Sequence, residues 1–281
     1  MHPLLGVRIP LFLNLLIYFM KNPVKLSLRT LFAFFIVSVF CVLQSHEASA
    51  QRHVRDSLVF TPHISFNYAF QMPAGDLENR FGNNSTVGLS FHIKTKTNWY
   101  FGAEWSYMFG KSVNEEGLMQ NLITDEGFIV DNEGGLARIL IQERGSLTTL
   151  NVGKVIPLRF SNVNSGLLFK AGVGLMQHRI RIESQENVIT QLEDEYLKGY
   201  DRLTNGLVLS QFLGYFHMSD NRLTNLYGGI EFYEGFTQGR RDYNFDTRDV
   251  DNEPRMDILF GIRVGWVIHI YKRTGREVYY D

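Results

Sequence analysis

The sequence predicts an all-β protein, an eight-stranded antiparallel up-and-down transmembrane β-barrel with long extracellular loops and short periplasmic turns. Three observations predict it. Eight segments beyond residue 51 alternate apolar and polar residues with period two. Short and long connections alternate between them, as they do when turns lie on one side of a membrane and loops on the other. The bulkiest apolar residues share one face of each segment, whereas the opposite face carries small residues and charges of both signs.

The first segment, FTPHISFNYAF, sets Ile64, Phe66, Tyr68 and Phe70 against His63, Ser65, Asn67 and Ala69. The second sets Val87, Leu89, Phe91 and Ile93 against Gly88, Ser90, His92 and Lys94. In the third, NWYFGAEWSYMFG, Trp99, Phe101, Trp105 and Tyr107 oppose Tyr100, Gly102, Glu104 and Ser106. The fourth covers about Thr148 to Arg159, and strict alternation puts Lys154 among its apolar residues. That requires either a bulge near Gly153 or a lysine at the membrane interface. The fifth, GLLFKAGVGLMQH, sets Leu167, Phe169 and Val173 against Lys170, Gly172 and Gly174. The sixth, Leu207 to His217, has an ambiguous facing because Gln211 falls among leucines. The seventh sets Ile230, Phe232 and Phe236 against Tyr227, Gly229, Glu231 and Tyr233. The eighth runs from about Met256 to Ile270 and sets Ile262, Val264, Trp266 and Ile268 against Asp257, Gly261, Arg263 and Gly265. Thr95–Asn98, Phe160–Ser165 and Met218–Arg222 are the short connections, and the others are several times longer.

A soluble barrel with its apolar face inward is the competing arrangement. An eight-stranded interior is barely wide enough for side chains, so the small, ionic face fits inside and the tryptophans and phenylalanines belong outside. Segments of this length match tilted strands crossing a bilayer. In lipid only closure of the sheet pairs every backbone N–H and C=O. Closure also substitutes for disulfides, since Cys41 is the only cysteine.

The N-terminal residues read as a targeting segment. Lys21, Lys25 and Arg29 precede an apolar run from Leu31 to Leu43, and Ala48-Ser49-Ala50 supplies small residues for cleavage before Gln51. Met20 then reads as the start, residues 1–50 as the leader, and residues 51–281 as the barrel with a periplasmic tail at 272–281. The near-neutral charge of −1 gives no reason to expect nucleic acid as a partner.

The inward faces collect Glu104, Lys170, Glu231, Asp257 and Arg263, which are expected to form an ion-pair network filling the lumen. A narrow channel or proton path is the alternative use of the same residues. At the rim, His178, Arg179 and Arg181 are expected to meet lipopolysaccharide phosphates. His178, Glu183 and Ser184 are the residues an enzyme acting on lipid A, phospholipid or peptide would draw on there, although no motif fixes a nucleophile. Leu192, Tyr196, Tyr200 and Leu203 have near-helical spacing and predict a short helix over the mouth. Asp242, Asp246, Asp249, Asp251 and Glu253 interleave with Arg240, Arg241, Arg248 and Arg255 and fit no calcium loop, so an ionic surface loop is expected. No metal and no cofactor are expected.

Near the C-terminus, Arg263-x-Gly265-x-x-Ile268-x-Ile270, followed by Tyr271, resembles the terminal-strand signal of outer-membrane proteins, which barrel assembly machinery reads by edge pairing. The stretches ASAQ, GDLENRFG, LITDEGFIVDNEGGLARILIQERG, GVGLMQHRIRIESQENVITQLEDEYLKGYDRLT, GRRDYNFDTRDVDNEPRMD and WVIHIYKR…YY together resemble uncharacterised outer-membrane β-barrel proteins of the Bacteroidetes type. The resemblance covers nearly all of the chain beyond residue 50. It implies a barrel in the outer membrane of a Gram-negative bacterium and supplies no activity. The expected role is structural or interaction work at the cell surface, or that of an accessory subunit in an envelope machine. The partners implied are outer-membrane lipid and lipopolysaccharide, the assembly machinery, and an envelope protein.

Overall fold

In the computed structural model, the described residues are 58–159, 161–185, 189–219 and 224–270. The expected leader, Tyr271 and the expected periplasmic tail lie outside them. Eight strands form one closed antiparallel ring in chain order. They are β1 (Thr61–Gly75), β2 (Asn84–Lys94), β3 (Trp99–Gly110), β4 (Ile139–Pro157), β5 (Gly166–Ser184), β6 (Thr204–His217), β7 (Leu226–Gly239) and β8 (Pro254–His269). β1 closes on β8 through thirteen consecutive partners, from His63↔His269 to Gly75↔Asp257. The ring therefore has no free edge across the depth of the sheet.

The stagger of the ring can be read from its register. Hydrogen-bonded partners lead from Thr61 through Lys94, Tyr100, Gly153, Lys170, Phe212, Glu231 and Gly261 back to β1 at Gln71. One circuit thus climbs ten residues along β1, and that offset fixes strand tilt and barrel width together. Because ten is even, the inward and outward faces remain distinct all the way round.

The outward face is apolar. Phe66, Leu89, Trp105, Leu150, Phe169, Leu207, Ile230 and Ile262, one from each strand, are all exposed. Lys154 joins this face without a bulge. It pairs in register with Trp99, and its ammonium lies 5.2 Å from the indole centroid. Of the two devices the sequence allowed, the structure has the lysine over an aromatic ring. β6 resolves the same way. Leu207, Leu209 and Leu213 point outward together with Gln211, while Val208, Phe212 and Phe216 point inward.

The strands extend further than the sequence pattern suggested, chiefly in β4 and β5. The ladder continues to Ile139↔Ser184, well beyond the last β3 partner, Gly110↔Glu143. Along β5 the apolar phase inverts. Leu167, Phe169, Val173 and Leu175 face outward, but above Met176 it is Ile180 and Ile182 that face inward and are buried. Outside the apolar belt, the hydrophobic partner is the loop cap within the mouth.

Two internal layers flank the polar middle. The mouth layer packs Met108, Leu147, Met176 and Ile180 beneath Leu77 and Phe81. Leu77 belongs to the short helix α1 (Asp76–Arg80). At the opposite end Tyr100, Leu168, Phe212, Phe216 and Tyr227 form the second layer. The expected helix near the third long loop is one turn, α2 (Asp194–Leu197). Leu192 and Tyr200 are buried beside it, whereas Tyr196 is exposed.

Candidate functional site

Four charged side chains meet at mid-depth. Glu104 (β3), Lys170 (β5), Glu231 (β7) and Arg263 (β8) are buried, and each occupies an inward position of its strand. Arg263 joins the two acids: Nη1 donates to Glu104 Oε2 at 2.8 Å, and Nε lies 2.5 Å from Glu231 Oε2. Its Nη2 donates to the Tyr233 hydroxyl at 2.8 Å. Lys170 pairs with the other Glu104 oxygen, and its ammonium sits 4.8 Å from the Phe212 ring centroid and 5.2 Å from that of Tyr227. Gln71 donates to Glu231 Oε1 at 2.6 Å. His92 Nε2 lies 3.3 Å from Glu104. Two acids thus face two bases, as charge burial requires. The space left beside the quartet is a void of about 10 Å³ lined by Asn151 and Ser210 among others, scarcely room for one water.

Asp257 does not join this quartet. Its position near the start of β8 puts it at the mouth, where Thr237 donates to it and His178 Nε2 lies 2.9 Å away. This also corrects the expected role of His178. The imidazole is buried, with the Phe81 ring set edge-on at 5.5 Å. It faces inward, and only Arg179 and Arg181 of that trio remain on the outer face. The residues an enzyme would have used are likewise separated: Glu183 is on the outer face, paired with Arg181. Ser184 shares the parity of His178 but sits six residues along an extended strand, roughly 20 Å away.

Above Phe81, an ionic clamp joins the four long loops. Arg80, at the end of α1, reaches Glu115 (3.0 Å) in the second long loop and Asp251 (3.2 Å) in the fourth. It also donates to Thr204 at 2.9 Å. Arg202, in the third, holds Glu115 (3.3 Å) and Asp246 (2.6 Å). Arg241 forks onto Asp201. Burial pulls the Arg80 guanidinium below its ordinary pKa, against the opposing pull of Glu115, whereas the hydrogen bond to Asp201 raises that of Arg241. Of the fourth-loop acids, Asp246 and Asp251 therefore serve as counterions to arginines. The clamp escapes sequence reasoning because its members come from loops with no periodicity. The acid–arginine interleaving after Gly239 is the one signal that pointed toward it.

Gly265, part of the terminal-strand pattern, has a packing role. A Cβ there would fall 2.2 Å from the Tyr227 ring, so the glycine leaves room for that ring to lie flat across β8. Ile268 and Ile270 of the same pattern face outward and are exposed.

No protein-family model matches the sequence, nor does any curated relative. Among solved structures the chain is similar to Neisserial surface protein A, with 8% identity over 74% of this chain and 96% of that one and a TM-score of 0.38. It is similar to Ail, the attachment invasion locus protein of Yersinia pestis, at 12% identity, 74% and 99% coverage and a TM-score of 0.34. The N-terminal β-barrel domain of Pseudomonas aeruginosa OprF matches at 9% identity, 75% and 100% coverage and a TM-score of 0.34.

Proposed function

We propose that this chain is a plugged outer-membrane barrel of a Gram-negative envelope that works through its clamped loop cap, as a structural or interaction protein of the cell surface or as an accessory subunit of an envelope machine. One observation carries the reading: the closed ring turns its aromatic and aliphatic residues outward and its ion pairs inward. In water this wall would expose an apolar area far above what monomeric soluble proteins present. In a bilayer it is matched by acyl chains, while closure satisfies the backbone. The filled centre supports a lumen that does not conduct, and the ties among all four long loops support a single preformed surface rather than four independent loops.

Planar-bilayer recording tests the plug. The reconstituted chain is expected to insert without discrete conductance steps, and regular steps would overturn the plugged reading in favour of a narrow channel. Detergent extraction from native envelopes followed by affinity purification tests the interaction role. A stoichiometric envelope partner is expected, and a lone monomer with no partner would count against the accessory-subunit form.

A further inference from the structure

Just above the apolar belt, one sector of the outer wall concentrates positive charge. Register places Arg144 of β4 directly opposite Arg179 of β5, and Gln142 opposite Arg181 in the next outward row. On the other side of β4, Arg144 faces Phe109 of β3, and Lys111, exposed, follows just past the end of that strand. Like charges set directly across an antiparallel pair destabilise it. Among the described residues the Arg144 guanidinium hydrogen-bonds to neutral oxygens. It donates to the main-chain carbonyls of Glu143 (2.6 Å) and Gly110 (3.5 Å) and to the Gln142 amide. Arg179 is exposed and pairs with no carboxylate among the described residues; Arg181 alone has one, Glu183. The sector therefore carries fixed charge that the protein itself leaves largely uncompensated.

The height of the sector identifies what compensates it. Directly below, the outward row is Ser146↔Gln177, uncharged and polar. Beneath that come Leu175, Val173 and Leu150, among the most exposed apolar residues of the wall. Beside it, Tyr107 and Phe109 stack at 6.4 Å on the outer face of β3, the kind of aromatic pair that marks a headgroup boundary. On the membrane reading, the arginines stand one step above the acyl region, at the level of lipid phosphates. The opposite sector of the wall offers Phe70, Met72 and Met256 instead of cations.

We propose that Lys111, Arg144, Arg179 and Arg181 form a docking site for the phosphate groups of an outer-leaflet glycolipid. A phosphate between the facing guanidiniums accepts hydrogen bonds from both, turning a repulsive cross-strand pair into a bridged one. The acyl chains then run down the wall over Leu175, Val173 and Leu150. The site rests on the membrane reading and adds to it a lipid of stated chemistry.

Native mass spectrometry of the full chain, exchanged from detergent into nanodiscs, provides the test. The probes are lipid A with both phosphates and the same lipid A after enzymatic dephosphorylation. Wild-type protein is expected to retain the phosphorylated form at about tenfold lower lipid concentration than the dephosphorylated form. The Arg144→Gln/Arg179→Gln pair is expected to abolish that preference, and Arg179→Gln alone, at an exposed site, to reduce it about fivefold. Equal retention of the two lipids by the wild type, or an undiminished preference in both variants, overturns the proposal. Loss of the lipid adduct on adding millimolar inorganic phosphate assigns the site to free phosphate and overturns the lipid. A wild-type chain that does not enter nanodiscs at all overturns the membrane reading, and this proposal with it. Insertion without phosphate preference overturns the docking site alone.

Discussion

Removing the Arg263 guanidinium would leave Glu104 and Glu231 buried with Lys170 as the one base of the quartet, because Arg263 alone contacts both acids. Glu231 would keep Gln71 and Tyr233 as neutral partners, which is insufficient for a carboxylate out of water. Arg263→Met is therefore expected to destabilise the folded barrel by about 3–5 kcal/mol, read as an earlier midpoint in urea unfolding from detergent micelles. Removing a whole ion pair has a smaller consequence. Glu104→Gln together with Lys170→Met deletes one negative and one positive charge and leaves Arg263 with Glu231, so its cost is expected below about 2 kcal/mol in the same assay. If the double variant proves as damaging as the single one, the interior is not organised by charge balance. Period-two parity alone puts Glu104, Lys170, Glu231 and Arg263 on inward faces. Parity alone could not separate Asp257 from them, because height within the barrel depends on the ten-residue stagger, which single strands do not encode.

Among the elements, the strands were legible wherever their outward residues are apolar and became illegible where that condition ends. The alternation RIRIE, Arg179 to Glu183, is as regular as any in the chain, but its apolar residues occupy the inward phase. The reason is physical: on the proposed membrane reading the outer face above the belt would meet water and headgroups, and Ile180 and Ile182 pack instead against the cap. Strand ends read from one fixed phase are therefore cut short at the belt. The cap itself depends on Arg80, whose contacts tie α1 to the second and fourth loops and to β6. Arg80→Ala is expected to cost about 2 kcal/mol of local stability and to raise proteolytic cleavage within residues 111–138 several-fold in intact cells or liposomes. The protease-resistant barrel fragment should keep its size. Unchanged cleavage of that loop would show that the arginine is not what holds the cap together.

For the molecule as a whole, the decisive question is which medium touches the tryptophans. Trp99, Trp105 and Trp266 are 43%, 48% and 41% exposed, all on the outer face. A soluble barrel with this geometry would present three indoles to water, whereas a membrane barrel presents them to lipid at different depths. Trp105 lies mid-strand in β3, near the level of the buried quartet to which Glu104 contributes. Trp99 opens β3 beside Lys154, and an aromatic–lysine pair of this kind belongs at the interface. In single-tryptophan variants reconstituted with phospholipids brominated at successive chain positions, Trp105 is expected to be quenched most by bromines near the chain ends and Trp99 most by bromines near the headgroups. Aqueous iodide should reach Trp99 weakly and Trp105 scarcely at all. The ordering follows from strand tilt and stagger, since two residues six positions apart on one tilted strand differ in depth by about half the apolar thickness. Equal quenching of both by iodide, with none from the brominated chains, would place the outer wall in water. An apolar wall of that extent could not remain bare in water, and the ring would then have to bury it against further copies of itself.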